Sequence, residues 1–125
     1  MNGFLFKKET YDIIGMCIEI HRLLGYGFSE VVYKDVMMLE VGWLNIPAER
    51  EKKFVIQYKG IDLQHHYFAD FIFFDNIIVE VKAIDSGIDK VSIAQTLNYL
   101  NASGCRIGLI INFGRRSLEY KRLVL

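Results

Sequence analysis

Residues 68–83 read FADFIFFDNIIVEVKA, and they place Asp70, Glu80 and Lys82 in segments that otherwise have the composition of buried β-strand. Phe71 to Phe74 on one side of Asp75-Asn76, and Ile77 to Val79 on the other, are aromatic or β-branched runs broken by turn formers, the signal of a hairpin. An unpaired charge inside such strands is costly. An Asp, a Glu and a Lys kept together there imply mutual pairing, a bound cation, or both.

Glu80 and Lys82 are two apart and project from one face of their strand. Asp70 must come from the neighbouring strand. A two-residue turn at Asp75-Asn76 would set Asp70 opposite Val81, on the wrong face. A shared cation therefore requires an odd-length turn or a β-bulge, which shifts the register by one and brings Asp70 beside Glu80.

Around this stretch the chain is that of an ordinary globular protein. Its 125 residues contain one Pro and no linker-like run, so a single domain over residues 1–125 is expected, with disorder confined to the first few residues. The 52% hydrophobic and 24% charged fractions fit a packed core. The formal net charge of zero gives the chain as a whole no pull towards nucleic acid or an anionic membrane, leaving Arg115, Arg116, Lys121 and Arg122 as the best local basic patch. Cys17 and Cys105 have no metal-ligand spacing and read as reduced core thiols, and no membrane span or signal-peptide core is present, so a cytoplasmic location is expected.

Helical spacing over Lys8 to Leu24, with Tyr11, Ile14, Ile18 and Leu24 flanked by Ile13, Cys17 and Ile20, predicts a first helix ended by Gly25 and Gly27. Ser29 can cap a second, running to about Trp43, with Glu30 in its first turn and Tyr33 one turn further on the same face. After a charged lead, Phe54 to Tyr58 is a strand. Ile61 to Phe74 is one long strand or two joined at His65-His66, and Ile77 to Ala83 is the next. Asp89 to Ala102 is a third helix, Ile107 to Phe113 a strand covered on both faces, and Leu118 to Leu125 a short tail. The fold class is α/β, a mixed central β-sheet flanked by helices in the order α-α-β-β-β-α-β, with the first three strands antiparallel and the last returning parallel through a right-handed crossover. Trp43, the Phe residues, Met16, Met37 and Met38 are expected in the core, and Tyr26 and Phe28 in a loop able to touch substrate.

An Asp on one strand and Glu-x-Lys on the next, followed by a helix, resembles the PD-(D/E)XK nuclease superfamily. Here the motif is Asp70, then Glu80-Val81-Lys82, with Ala69 where a Pro usually stands. Gln95-x-x-x-Tyr99 on the next helix resembles the motif of the RecB-like and lambda-exonuclease-like branch. Gly27-x-x-Glu30-x-x-Tyr33, preceded by Ile20-His21-Arg22-Leu23-Leu24-Gly25, is similar to the GxxExxY proteins, and with Ile111 to Gly114 the resemblance spans nearly the whole chain. Members often carry Leu-Gly-Pro-Gly where this chain has Leu24-Gly25-Tyr26-Gly27, so the aim of Glu30 is less constrained.

The resemblance implies a restriction-endonuclease-like fold and a metal-dependent nuclease, acting on DNA more readily than RNA. Asp70 and Glu80 would bind Mg²⁺ or Mn²⁺, with the Val81 carbonyl a third ligand. Lys82 would position the attacking water, Glu30 would stand near the same metal or a second one, Gln95 would hold Lys82 or the water, and Tyr99 would pack beneath or reach a phosphate. His21 could face the site across the glycine loop, or serve as a helix-end cation, and Tyr33 is an accessory candidate. A catalytically silent or partner-dependent nucleic-acid-binding module is the alternative, favoured by the zero net charge. A homodimer is compatible with so small a chain. Dinucleotide, NTP and serine-hydrolase chemistry are excluded, since none of their loop motifs occurs.

Overall fold

The structure is a computed structural model that describes residues 5–125; the first four residues, where disorder was expected, lie outside it. Helices α1 (Lys7–Leu24) and α2 (Glu30–Leu44) precede the strands β1 (Ala48–Tyr58), β2 (Ile61–Phe73) and β3 (Ile77–Lys82). Helix α3 (Lys90–Ser103) then leads to β4 (Ile107–Asn112) and β5 (Glu119–Val124). The five strands form one mixed sheet in sequence order, antiparallel except for the parallel pair β3 and β4 that α3 connects.

Helices cover both faces. On one, Ile13, Cys17 and Ile20 of α1 and Tyr33, Met37 and Val41 of α2 pack on Phe71, Val79, Leu109 and Ile111. On the other, Leu100 of α3 meets Ile72, Ile78 and Ile110. Alternate residues of β3 and β4 thus face opposite layers, which is why both strands are apolar throughout.

Several elements differ from their sequence reading. The tail forms β5, pairing along the whole of β4 from Ile107↔Val124 to Asn112↔Glu119 and covering what would be an open edge. The charged lead Glu49 to Lys53 belongs to β1, an edge strand where every second residue stands in water and charge costs little. β2 is a single strand ending at Phe73, with no break at His65-His66. In α1 the buried stripe is Ile13, Met16, Cys17 and Ile20, while Tyr11 and Ile18 are exposed. Trp43 and Met38 are exposed rather than core, because α2 is apolar nearly all round and buries only the stripe Tyr33, Met37, Val41. Cys17 is buried and Cys105 half-buried, both free thiols. Among the described residues no helix is long and apolar enough to cross a membrane.

Candidate active site

The register of the β2–β3 hairpin builds the site. Its turn has three residues, Phe74 to Asn76, and pairs Phe73 with Ile77, Ile72 with Ile78 and Phe71 with Val79, so Asp70 falls beside Glu80. Phe74 (φ 54°) and Asp75 (φ 56°) both take the left-handed conformation. The Asn76 N–H donates to the Phe73 carbonyl at 3.0 Å, and its side-chain amide to that of Phe74 at 2.7 Å. The odd count supplies the one-residue offset that a two-residue turn would not.

At Asp70 the pleat also slips. Tyr67 and Ala69 pack towards α3, whereas Phe71 and Phe73 pack towards α1 and α2. Across on β1, Glu51 takes φ 55°. In place of the regular ladder, the Asp70 N–H donates to Glu80 Oε2 at 2.7 Å and the Val81 N–H donates to Asp70 Oδ2 at 2.8 Å. Each carboxylate stands in for the main-chain carbonyl that the neighbouring strand would have offered. The two acids are therefore held side by side in the gap between β2 and β3.

Electrostatically the pair is under tension. Glu80 is 5% exposed, and burial first, then the adjacent Asp70 charge, pushes its carboxyl up to about 8; the Asp70 N–H and the charges of Lys82 and Lys34 oppose that shift. Lys34 of α2 donates to Asp70 Oδ1 at 3.1 Å and to Glu51 Oε1 at 3.1 Å. Burial depresses the Lys34 ammonium, but these two carboxylates outweigh it and the net shift is upward. Sequence reasoning missed Lys34. The signal was its position four residues after Glu30, on the same helix face.

The other candidates distribute unevenly. Lys82 is half-buried on the Glu80 side of β3, close enough for its charge to act on both Glu80 and Asp89, and makes no direct ion pair among the described residues. The ion pair at this site is Lys34–Asp70, not the Asp70, Glu80 and Lys82 network that pairing alone would have built. Tyr99 stacks on Tyr67 with centroids 4.0 Å apart and accepts the Tyr67 hydroxyl at its carbonyl, 2.7 Å. Burial, then the Glu80 and Asp70 carboxylates, raise its phenol. Gln95 is exposed one helical turn before Tyr99, and its side chain opposes the rise of the phenol.

Glu30 opens α2 exposed, and among the described residues no group of three or more His, Cys, Asp or Glu side chains is gathered closely enough to hold a metal ion. Glu30 thus does not join Asp70 and Glu80 in a three-carboxylate cluster. Ser29 holds the N-cap position of α2 without a side-chain cap bond. His21 and Tyr33 are also away from the acids. Tyr33 stacks on Phe113 at 4.4 Å, donates to the Gly25 carbonyl at 2.7 Å and accepts the Phe28 N–H at 3.3 Å; His21 Nε2 donates to the Arg115 carbonyl at 2.7 Å. Both hold loops at the ends of the strands.

The donor set suits a hard divalent cation. Two carboxylates from adjacent strands supply oxygens; among the described residues Glu80 Oε1 has no hydrogen-bond partner, and Asp70 Oδ1 accepts from the Lys34 ammonium. A cation with few protein ligands keeps several of its waters, which is the habit of Mg²⁺.

A mixed sheet whose second strand carries an aspartate, whose third carries Glu-x-Lys, and whose helices flank both faces defines the restriction-endonuclease-like class. The chain belongs to the PD-(D/E)XK nuclease superfamily, whose family model matches residues 7–123. Nucleases of this superfamily generally use divalent metal ions. Among solved structures, the crystal structure of SSO0001 is similar, with a TM-score of 0.58 at 18% identity over 77% of this chain, and this likeness shows the fold alone. The chain spans 50% of that protein's length. No curated protein matches the sequence significantly.

Proposed function

We propose that this chain is a Mg²⁺- or Mn²⁺-dependent nuclease that hydrolyses phosphodiester bonds in DNA, of the GxxExxY group within the RecB-like branch. The observation that carries the reading is the crossed pair of bonds, Asp70 N–H to Glu80 Oε2 and Val81 N–H to Asp70 Oδ2, which holds two carboxylates together at a cost in desolvation that a core would not otherwise bear. Asp70, Glu80 and the Val81 carbonyl would hold the cation. When bound, it supplies positive charge on the scissile phosphate and a more acidic water.

The protein's own groups do the rest. Lys82, unpaired on the Glu80 side of its strand, orients the attacking water and meets charge developing on the phosphate. Tyr99, kept neutral by its acidic neighbours, offers its hydroxyl to a phosphate oxygen, steadied by Gln95. Glu30 stands one helical turn from Lys34 and sets the charge at the mouth of the site. The reading includes a cytoplasmic location and a homodimer, since one small chain offers little surface to wrap a duplex.

One observation favours a second reading, a silent or partner-dependent binding module: Lys34 already neutralises Asp70. The deciding experiment is cleavage of plasmid and single-stranded DNA with Mg²⁺ or Mn²⁺. The nuclease reading expects nicking that Glu80→Ala and Lys82→Ala abolish. Metal binding without cleavage by the wild type would leave the module.

A further inference from the structure

Beyond the acids, two adjoining clefts of about 530 and 520 Å³ meet over Tyr26, Asp85 and Gly114. They form one groove at the carboxyl ends of β3 and β4. Its floor is Ala83 and Ile84, the residues directly after Lys82, and one wall is the glycine loop that ends two residues before Glu30. The opposite wall is the turn carrying Arg115 and Arg116. The groove thus opens where the strand that carries Glu80 and Lys82 ends.

This groove is built, not incidental. The fully buried Asn112 amide donates to the Ile84 carbonyl at 2.8 Å and to Glu119 Oε1 at 3.0 Å, and its carbonyl accepts the N–H groups of Ile84 at 2.8 Å and Gly114 at 3.0 Å. Glu119 in turn accepts the Ile88 N–H at 2.8 Å. A Cβ at Gly114 would collide with the Ala83–Ile84 backbone, so glycine lets the two walls close on the floor. Tyr33 and His21 fix the glycine loop and the Arg115 backbone from beneath.

What such a groove would take follows from its surface. Tyr26 and Phe28 are 55% and 47% exposed, on a loop that the Tyr33 hydroxyl ties at Gly25 and Phe28. Among the described residues Arg116 has no hydrogen-bond or ion-pair partner, and Arg115 makes one long contact, 3.4 Å, to the Ser86 carbonyl. Exposed rings beside exposed guanidinium groups match the alternation of bases and phosphates in an unpaired strand. A duplex keeps its bases stacked away from such rings.

We infer that this groove binds single-stranded nucleic acid running out of the active site, with Arg115 and Arg116 on its phosphates and Tyr26 and Phe28 under its bases. The inference rests on the nuclease reading for its direction, though binding itself does not require cleavage. Asp85 at the rim repels the strand and sets how tightly it is held.

The test is fluorescence anisotropy of a labelled oligo-dT and of a duplex of equal length, in EDTA, across a salt series. Wild type is expected to prefer the single strand. Arg116→Ala and Tyr26→Ala should each weaken it by about tenfold. The slope of log affinity against log salt should fall by about 0.7 for each arginine removed and stay unchanged for Tyr26→Ala. Tyr26→Phe should restore binding, and Asp85→Asn should tighten it, which loss of fold could not do. Equal affinity of wild type and variants, preference for the duplex, or no binding of oligo-dT would overturn the inference. Because cleavage is scored separately with metal and Glu80→Ala, an inactive protein that still binds the strand refutes the nuclease reading alone.

Discussion

The ammonium of Lys34, on a helix of one layer, donates at 3.1 Å to the carboxylate of Asp70, on a strand whose other oxygen is held by the Val81 N–H. A bound divalent cation and this ammonium compete for the same negative charge. Replacing Lys34 by Met keeps the stem that covers the strand and removes the charge.

Lys34→Met is therefore expected to tighten Mg²⁺ or Mn²⁺ binding, by about three- to tenfold, as read by titration calorimetry. It should also lower stability by about 1 kcal/mol or more in denaturant melts, because Asp70 and Glu80 lose a shared counter-charge. Unchanged metal affinity would show that the ammonium and the cation do not compete for Asp70.

Glu80 gives a pH dependence whose sign is fixed. Its folded carboxyl is pushed up to about 8 from an ordinary 4.5, so the folded state holds a proton that the unfolded state has released. The stability this contributes is complete below about pH 4.5 and is lost as pH rises through about 8. The metal-free protein should melt at progressively lower temperature across that window, and Glu80→Gln should flatten the profile. Added Mg²⁺, which binds the carboxylate form, should raise the melting temperature more at pH 8 than at pH 6.

Tyr33→Phe removes a hydroxyl that donates to Gly25 and accepts from Phe28 while keeping the ring on Phe113. A loss of about 1–2 kcal/mol in unfolding free energy is expected. Because that hydroxyl holds the loop before Glu30 and touches neither acid, metal affinity should change little. A loss of metal affinity as large as that of Glu80→Ala would place Tyr33 in the site itself.

Asn112→Ala should be the most damaging single change away from the acids. The buried amide satisfies both main-chain groups of Ile84, the Gly114 N–H and Glu119, and no water-sized substitute comes with alanine. About 3 kcal/mol of destabilisation is expected in urea melts, since several buried groups lose partners at once.

Much of this was written in the local pattern. The apolar runs of β3 and β4, the glycine stops of α1 and α3, and the need for an odd turn after Phe73 all follow from side-chain period and from the cost of burying Asp70 and Glu80. The exposed Trp43 was not legible, because α2 is apolar on every side and only contact with the sheet decides which stripe is buried. Nor was β5 legible: Glu119 to Val124 has too few apolar residues to announce a strand, and it becomes one because β4 offers an unpaired edge.

At the site the division is the same. Sequence by itself determined that two acids and a lysine share the ends of paired strands, since period and turn length act over a few residues. Only the tertiary structure decided that Lys34 rather than Lys82 pairs with Asp70, that Glu30 stands apart from both acids, and that His21 and Tyr33 brace loops. Those outcomes depend on how a helix from one layer is set against a strand in another. That packing is fixed by the summed burial of the core and leaves no mark at any one position.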